Sequence, residues 1–501
     1  MKLRNGMWVG LVVISACGSS NPQSAIDAGL DARADAPVDA VIRRTVSGIL
    51  NVRHVTTTGE VVVPADLSAA TVSVLALPSF TGYPGITNAD GTFSIPDVPE
   101  GPFYLKLGNR YLEMSADTVD LSFDSLGRPG VAGATNPTNM TFNVTNLAAW
   151  QATDEIQMFS PGSGTIAFAM QSGATSGAPA VAATSLSSFV FDLSRASYRA
   201  LIDGTMGDLL TMTQLATQTV GPRTFRTVAR SFAPASFTIT NGGNATLTGA
   251  FSTTATNPTF TAVWDRPAFD AELSAHSPRQ TANNYSTLAV STLPEAATRG
   301  VYHDAADLVV YAPGYTTDAT AVSASWQYGD PYPVAWTRYG WCRYFTYRFI
   351  QLGSATPTAI FASMLVFRDL STVTAQSPIA PIIGAVVSPK VNGMDAFGTL
   401  NGVGTTPTVS WTAPTLGVAS RYYMDIYQVV AQNGATVLQG VARFETNKTQ
   451  VAIPPAILTT GNAYVFEITA RAAGTLDLTA TPNAQSLPDA STRVTSSLFI
   501  P

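Results

Sequence analysis

Cysteine is almost missing from this chain. Its 501 residues hold two, Cys17 and Cys342, and only three histidines, His54, His276 and His303, no two of them close in sequence. A disulfide framework is excluded, because Cys342 is the one cysteine after residue 17, and stability must come from packing. H-E-x-x-H, G-x-S-x-G, G-x-x-x-x-G-K-[ST] and C-x-x-C are absent, which removes the zinc, nucleophile-elbow, phosphate-loop and dithiol chemistries that those spacings build. Charged residues make up 12% against about 25% in ordinary soluble domains. With a net charge of −6 the surface offers no basic patch, so nucleic acid is not an expected partner. Nothing in the pattern calls for a cofactor or a metal.

Long apolar runs are lacking as well. Met7 to Ile14 is an apolar run of about eight residues behind Lys2 and Arg4, far short of the roughly 20 that span a bilayer, and it reads as a secretory signal. The run ends in Ile14-Ser15-Ala16-Cys17, which resembles the lipobox of bacterial lipoproteins. That resemblance implies a signal peptide at 1–16, lipid attachment at Cys17 and a membrane as partner through the anchor. Gly18, where Asp would retain the protein, implies the outer membrane or cell surface. In the following segment Asp27, Asp31, Asp35 and Asp39 stand four apart, a spacing that stacks like charges on one helical face, and Gly29 and Pro37 oppose a helix further. Residues 17–42 are therefore expected to be a disordered Asp/Ala-rich tether.

What the body has in plenty is Gly, Pro, Thr, Ser, Ala and Val, the composition of extracellular β-structure. The expected fold class is all-β, with several β-sandwich domains in series after the tether. In 43–115, "TVSGILNVRHV", "ATVSVLALP" and "GTFSIPDVPEGPFYLKLG" alternate apolar and polar residues between turn-formers, the period-2 signature of strands. Val46-Ser47-Gly48, Ala70 to Val74, Asn88 to Ile95 and Val98 to Gly101 together resemble a prealbumin-like, carboxypeptidase-regulatory-like sandwich. The resemblance implies a spacer module whose Asp90-Gly91 tightens a hairpin. Asp90, Asp97 and Glu100 lack the series of a calcium loop and read as plain turn residues. In 376–501, "TPTVSWTAP", "RYYMDIYQVV" and "AYVFEITARA" read as strands, and Trp411 with Leu458 and Tyr464 resemble the core tryptophan and tyrosine corner of a fibronectin type III domain. Residues 116–375 form a further β-rich region, one domain or two. Within it 193–217 is expected to give two strands around "DGTMGD" rather than a helix broken by Gly204 and Gly207.

Chemistry is thinly marked. "VYHDAAD" groups His303, Asp304 and Asp307, and "DGTMGD" sets Asp203 and Asp208 beside a turn; both read as solvated loops in preference to a base or a cation site. The richer segment is "SWQYGDPYPVAWTRYGWCRYFTYRFI". Strict alternation places Trp341, Phe345, Tyr347 and Phe349 on one face with Arg343, and Cys342, Tyr344 and Ile350 on the other, as expected of a buried central strand. The Pro/Gly-rich stretch before it is expected to be an exposed loop. Its rings Tyr328, Tyr332 and Trp336, with Asp330 and Arg338 beside them, are the candidate ligand-binding residues, for a glycan or protein ligand. The expectation is a non-enzymatic cell-surface lipoprotein that displays β-modules for binding or adhesion. The alternative is a surface-anchored hydrolase with its site in 116–375, since carboxylate-only glycosidases need no histidine.

Overall fold

The computed structural model describes residues 42–170, 182–196, 199–235, 237–280, 284–294, 305–317, 319–353, 356–474, 476 and 478–501. The signal segment, Cys17, nearly all of the acidic spacer, His303 and Asp304 lie outside them. Period-2 sequence becomes period-2 burial. In Val72–Ala76 the side chains of Val72, Val74 and Ala76 are buried and those between them are not, and Asn139–Thr145 buries Met140, Phe142 and Val144 in the same way. Strand makes up about 55% and helix about 5%, in many sheets with no closed barrel. The protein is all-β and multi-sandwich, as the composition implies.

One sheet of nineteen strands runs through the body. It begins with Thr165–Met170, Glu155–Ser160, Thr211–Val220 and Arg223–Phe232. A short pairing of Arg226 and Thr227 with Val310 and Val309 carries it to Ala306–Thr316. From there it passes through Asn284–Leu293, Thr337–Ile350 and Thr358–Asp369. Thr358–Asp369 pairs with Asp489–Thr495, which leads into Ala463–Ala472, Arg421–Gln432 and Ala435–Thr446. A parallel pairing of 443–445 with 110–112 then brings in Arg110–Met114 and the strands Phe103–Leu107, Val72–Ala76 and Thr81–Pro84. The chain thus returns on itself, and the last module sits in the sheet between the first and the centre.

Smaller sheets cover this one and close the cores. Arg43–Ile49 and Thr92–Pro99 bring Val46, Phe93 and Ile95 against Val74, Leu105 and Leu112. Asn139–Thr145, Leu186–Asp192 and Asn244–Ala250 bring Met140, Phe142 and Leu247 against Ile156, Met158 and Met212. Thr259–Trp264 with Val322–Gln327, and Val387–Val391 with Thr408–Thr412, cover the centre and the last module. The strands from Asn139–Thr145 to Thr358–Asp369 therefore build two layer pairs. Thr118–Asp120 and Phe123–Leu126 pair in parallel with Arg43–Ile49 and Asn51–Thr56, so the first module runs past residue 115.

In the last module Trp411 is buried edge-on to Tyr422 (5.3 Å between centroids), and the Tyr464 hydroxyl accepts from the Thr459 N–H at 2.9 Å. Two local expectations fail. Residues 193–217 give one strand, Thr211–Val220, preceded by single 3₁₀ turns at Leu193–Arg195 and Gly204–Met206, because Asp192 and Asp203 accept from the N–H groups of Ser194 and Thr205 and cap them. Asp208 is not a solvated turn end but is buried in an ion pair with Arg128 at 3.0 Å. The helix Arg266–His276 went unread in the sequence. Its signals are Asp265, whose carboxylate accepts from the Ala268 N–H, Pro267 in the first turn, and Phe269 and Leu273 buried four residues apart.

Candidate functional site

The loop before the aromatic strand is built around a cation. Arg338 Nε donates to Asp330 Oδ2 at 2.8 Å, and its Nη atoms donate to the carbonyls of Pro333 (2.8 Å), Val334 (3.2 Å), Tyr332 (3.3 Å) and Trp336. Carbonyls that an open loop would offer to water converge on the guanidinium, and the rings are free to pack inward. Tyr332 stacks on Trp336 (5.2 Å, 16°), and both meet Phe159 edge-on at 5.8 and 6.1 Å. Tyr328 and Tyr332, expected at the surface, are 5% and 6% exposed, and Trp336 is half-buried. Asp330 and Arg338 satisfy each other. The expected platform of loop rings is therefore absent, and what the loop shows to solvent is Pro333, Val334 and Ala335.

The strand Thr337–Ile350 alternates as read, with a different outcome for its two faces. Cys342, Tyr344 and Ile350 form the core side. Tyr344 stacks on Phe269 of the helix at 6.0 Å and donates its hydroxyl to Asp270 Oδ1 at 2.9 Å. Burial, with Asp270 beside it, pushes the Tyr344 hydroxyl well up. Burial also pushes up the Cys342 thiol, which leaves it a small apolar filler and no nucleophile.

The opposite face, expected to be covered too, is half open. Trp341, Arg343 and Tyr347 are half-buried, Phe345 is buried, and Phe349 is 46% exposed. Neighbouring strands extend this face with further rings. Phe345 stacks on Tyr285 (4.8 Å) and meets Phe361 edge-on (5.2 Å), Tyr347 meets Phe349 at 5.6 Å, and Trp341 lies 6.3 Å from Phe367. The Arg343 guanidinium lies 5.2 Å over the Phe345 ring. The result is a broad aromatic sheet face with a cation on it and its most open ring at one end.

At the other end of the face the polar groups are enclosed. Trp341 Nε1 donates to Ser291 Oγ at 2.9 Å, and Ser291 donates to Asp307 Oδ1 at 2.7 Å. The Gln157 side chain accepts from the Asp307 N–H (2.9 Å) and donates to the Asp307 carbonyl (3.2 Å). Ser291 and Asp307 are at most 1% exposed. A hydroxyl sealed in and already donating to a carboxylate serves the strand pairing, not attack on a substrate. Elsewhere His54 Nδ1 contacts the Gly127 carbonyl at 3.0 Å and His276 lies 3.7 Å from Glu272. Among the described residues no three His, Cys, Asp or Glu side chains gather as a metal site would require. A groove of about 470 Å³ lies between the helix end and the last module, lined by His276, Pro278, Lys390, Asp395 and Phe397 among others. Asp395 is the one carboxylate in its lining, so it lacks the acid pair of a glycosidase.

Fold and site together define an all-β protein of fused sandwiches with an open aromatic sheet face. No known protein family and no curated protein sequence matches the chain, and its function is read from its own residues.

Proposed function

We propose that this is a non-enzymatic, lipid-anchored protein of the outer membrane or cell surface that uses the aromatic face around Phe349 to bind a glycan or another surface partner. The observation that carries the reading is the half-open row Trp341, Arg343, Tyr347 and Phe349 on a rigid central strand. Flat rings fixed on a sheet lose little entropy on binding and match the apolar faces of pyranose rings. The anchor rests on the lipobox at Cys17, and the acidic spacer would hold the body away from the bilayer. No helix among the described residues is long and apolar enough to cross a membrane.

The test is a glycan and cell-wall binding array with residues 43–501, run beside hydrolysis assays. Phe349→Ala should weaken binding about fivefold or more, the loss of about 1 kcal/mol of stacking. Its melting temperature should barely move, since a ring that is 46% exposed gives up little buried area. Binding unchanged in Phe349→Ala would remove the aromatic face from the reading, and turnover of a bound glycan would overturn its non-enzymatic part.

A further inference from the structure

The groove of about 470 Å³ beside the helix end has two walls, and none of the aromatic-face rings lines it. One wall is the last turn of Arg266–His276 with Ser277 and Pro278, and the other is residues 387–390 with Asp395 and Phe397. Glu272 Oε1 accepts from the Ala385 N–H at 3.0 Å, which ties the helix to the segment leading into the second wall. The groove is therefore formed before anything enters it, and its volume lies within the range of ligand pockets, about 300 to 1,000 Å³.

The second wall departs from strand geometry. Successive residues of a strand point to opposite faces, yet Val387, Ser388, Pro389 and Lys390 all line the groove. A bulge makes this possible: Val387 pairs with Thr412 and Lys390 with Ser410, so two residues stand opposite Trp411 alone, and Ser388 is held at φ 47° in the left-handed region. A serine kept there is strained, and strain of this kind gathers at ligand clamps.

The polar groups of the walls are open to a ligand. The exposed Ser274 and Ser388 hydroxyls and the exposed Lys390 amine bond to no other described residue. Asp395 keeps one oxygen for the Phe397 N–H at 3.0 Å and offers the other. The Ser274 carbonyl has no intrahelical donor, because Pro278, four residues on, has no N–H. Lys390 and Asp395 stand opposite each other in register without forming an ion pair, and His276 is turned toward Glu272 at 3.7 Å. A carboxylate or phosphate would meet Asp395 and an ammonium would meet Lys390. The walls, neutral in sum, favour an uncharged ligand whose polar groups both donate and accept, which is the chemistry of sugar hydroxyls around a pyranose ring.

We propose that this groove is a saccharide pocket for a single uncharged pyranose residue, separate from the aromatic face and independent of it. Asp395 and the Ser274 carbonyl accept from the sugar hydroxyls, Lys390 and Ser388 donate to them, and Phe397 and Pro389 take the apolar face of the ring. With one carboxylate the pocket holds the sugar without cleaving it.

Saturation-transfer NMR on the full chain tests it, with the methyl glycosides of glucose, galactose, mannose and N-acetylglucosamine as probes and glucuronate and glucosamine as charged controls. At least one neutral glycoside should receive saturation, more strongly than either charged sugar, in wild type and in Phe349→Ala alike. Ser274→Trp, which places an indole in the groove from an exposed position, should abolish the transfer. Asp395→Asn and Lys390→Met should each weaken binding about fivefold or more, and these two report on the pocket even where the tryptophan disturbs the helix end. No transfer to any neutral glycoside, transfer indifferent to all three groove variants, or stronger binding of a charged sugar would each overturn the proposal. Transfer lost in Phe349→Ala but kept in the groove variants would overturn it as well and assign the sugar to the aromatic face, so the two sites fail separately.

Discussion

Arg338→Met removes the cation at the centre of the aromatic loop while keeping the aliphatic stem. The structure sets the size of the loss. Arg338 and Asp330 side chains are only 16% and 10% exposed, and breaking a pair so enclosed strands the remaining charge at about 3 to 5 kcal/mol. Of the four carbonyls that also accept from Arg338, those of Pro333 and Val334 belong to exposed residues and regain water at little cost. The lower end, about 3 kcal/mol, is the expected figure. For a cooperative unit of 150 to 250 residues that is a drop in melting temperature of about 6 to 12 °C. Near-ultraviolet dichroism should lose the signal of the Tyr332–Trp336 stack in parallel. Asp330→Ala and the double variant complete a cycle. If the pair is the loop's anchor, the double variant is more stable than the summed single losses imply by about 1.5 to 3 kcal/mol. An Arg338→Met protein that melts within about 1 °C of wild type, its ring signal intact, would refute the reasoning and leave the loop held by its rings alone.

Tyr464→Phe should cost about 1 kcal/mol in denaturant titration, with the slope unchanged, because only the bond from the Thr459 N–H is lost. Acidification should loosen the junction of first and last modules. Burial alone would raise the Glu445 carboxyl, but Arg110, Arg421 and Arg443 more than reverse this and hold it below its ordinary value of 4.5. A lowered folded-state pKa contributes stability that is complete above the unfolded value and fades as pH falls below about 4.5. Melting curves of Glu445→Gln should therefore be flatter than wild type across that acid range, and an unchanged pH profile would count against the pairing. Cys17→Ser should move the protein from the detergent phase to the soluble fraction; continued partitioning of that variant with membranes would remove the anchor.

Local sequence settled what local physics can settle. Alternation and turn residues specify strands, so Val72–Ala76 and Asn139–Thr145 bury the side chains their pattern picks out. Trp411 and Tyr464, singled out by a resemblance and not by alternation, are buried. The same period put Trp341, Phe345, Tyr347 and Phe349 on one face and Cys342 and Tyr344 on the other. Alternation says nothing about which face is inside, because a strand with apolar residues on both sides fits either way. That choice was made by the helix Arg266–His276 and by Thr259–Trp264 with Val322–Gln327, which cover the Cys342 side and leave Phe349 open. Tertiary contacts likewise turned Tyr328 and Tyr332 inward, since only the folded loop brings five oxygens around Arg338. The meeting of Arg110 with Glu445, 335 residues apart in the chain, lay furthest from the sequence. A period-2 pattern names the sides of a strand but not its neighbours, and the partners are decided by which sheet edges the finished layers leave to be paired.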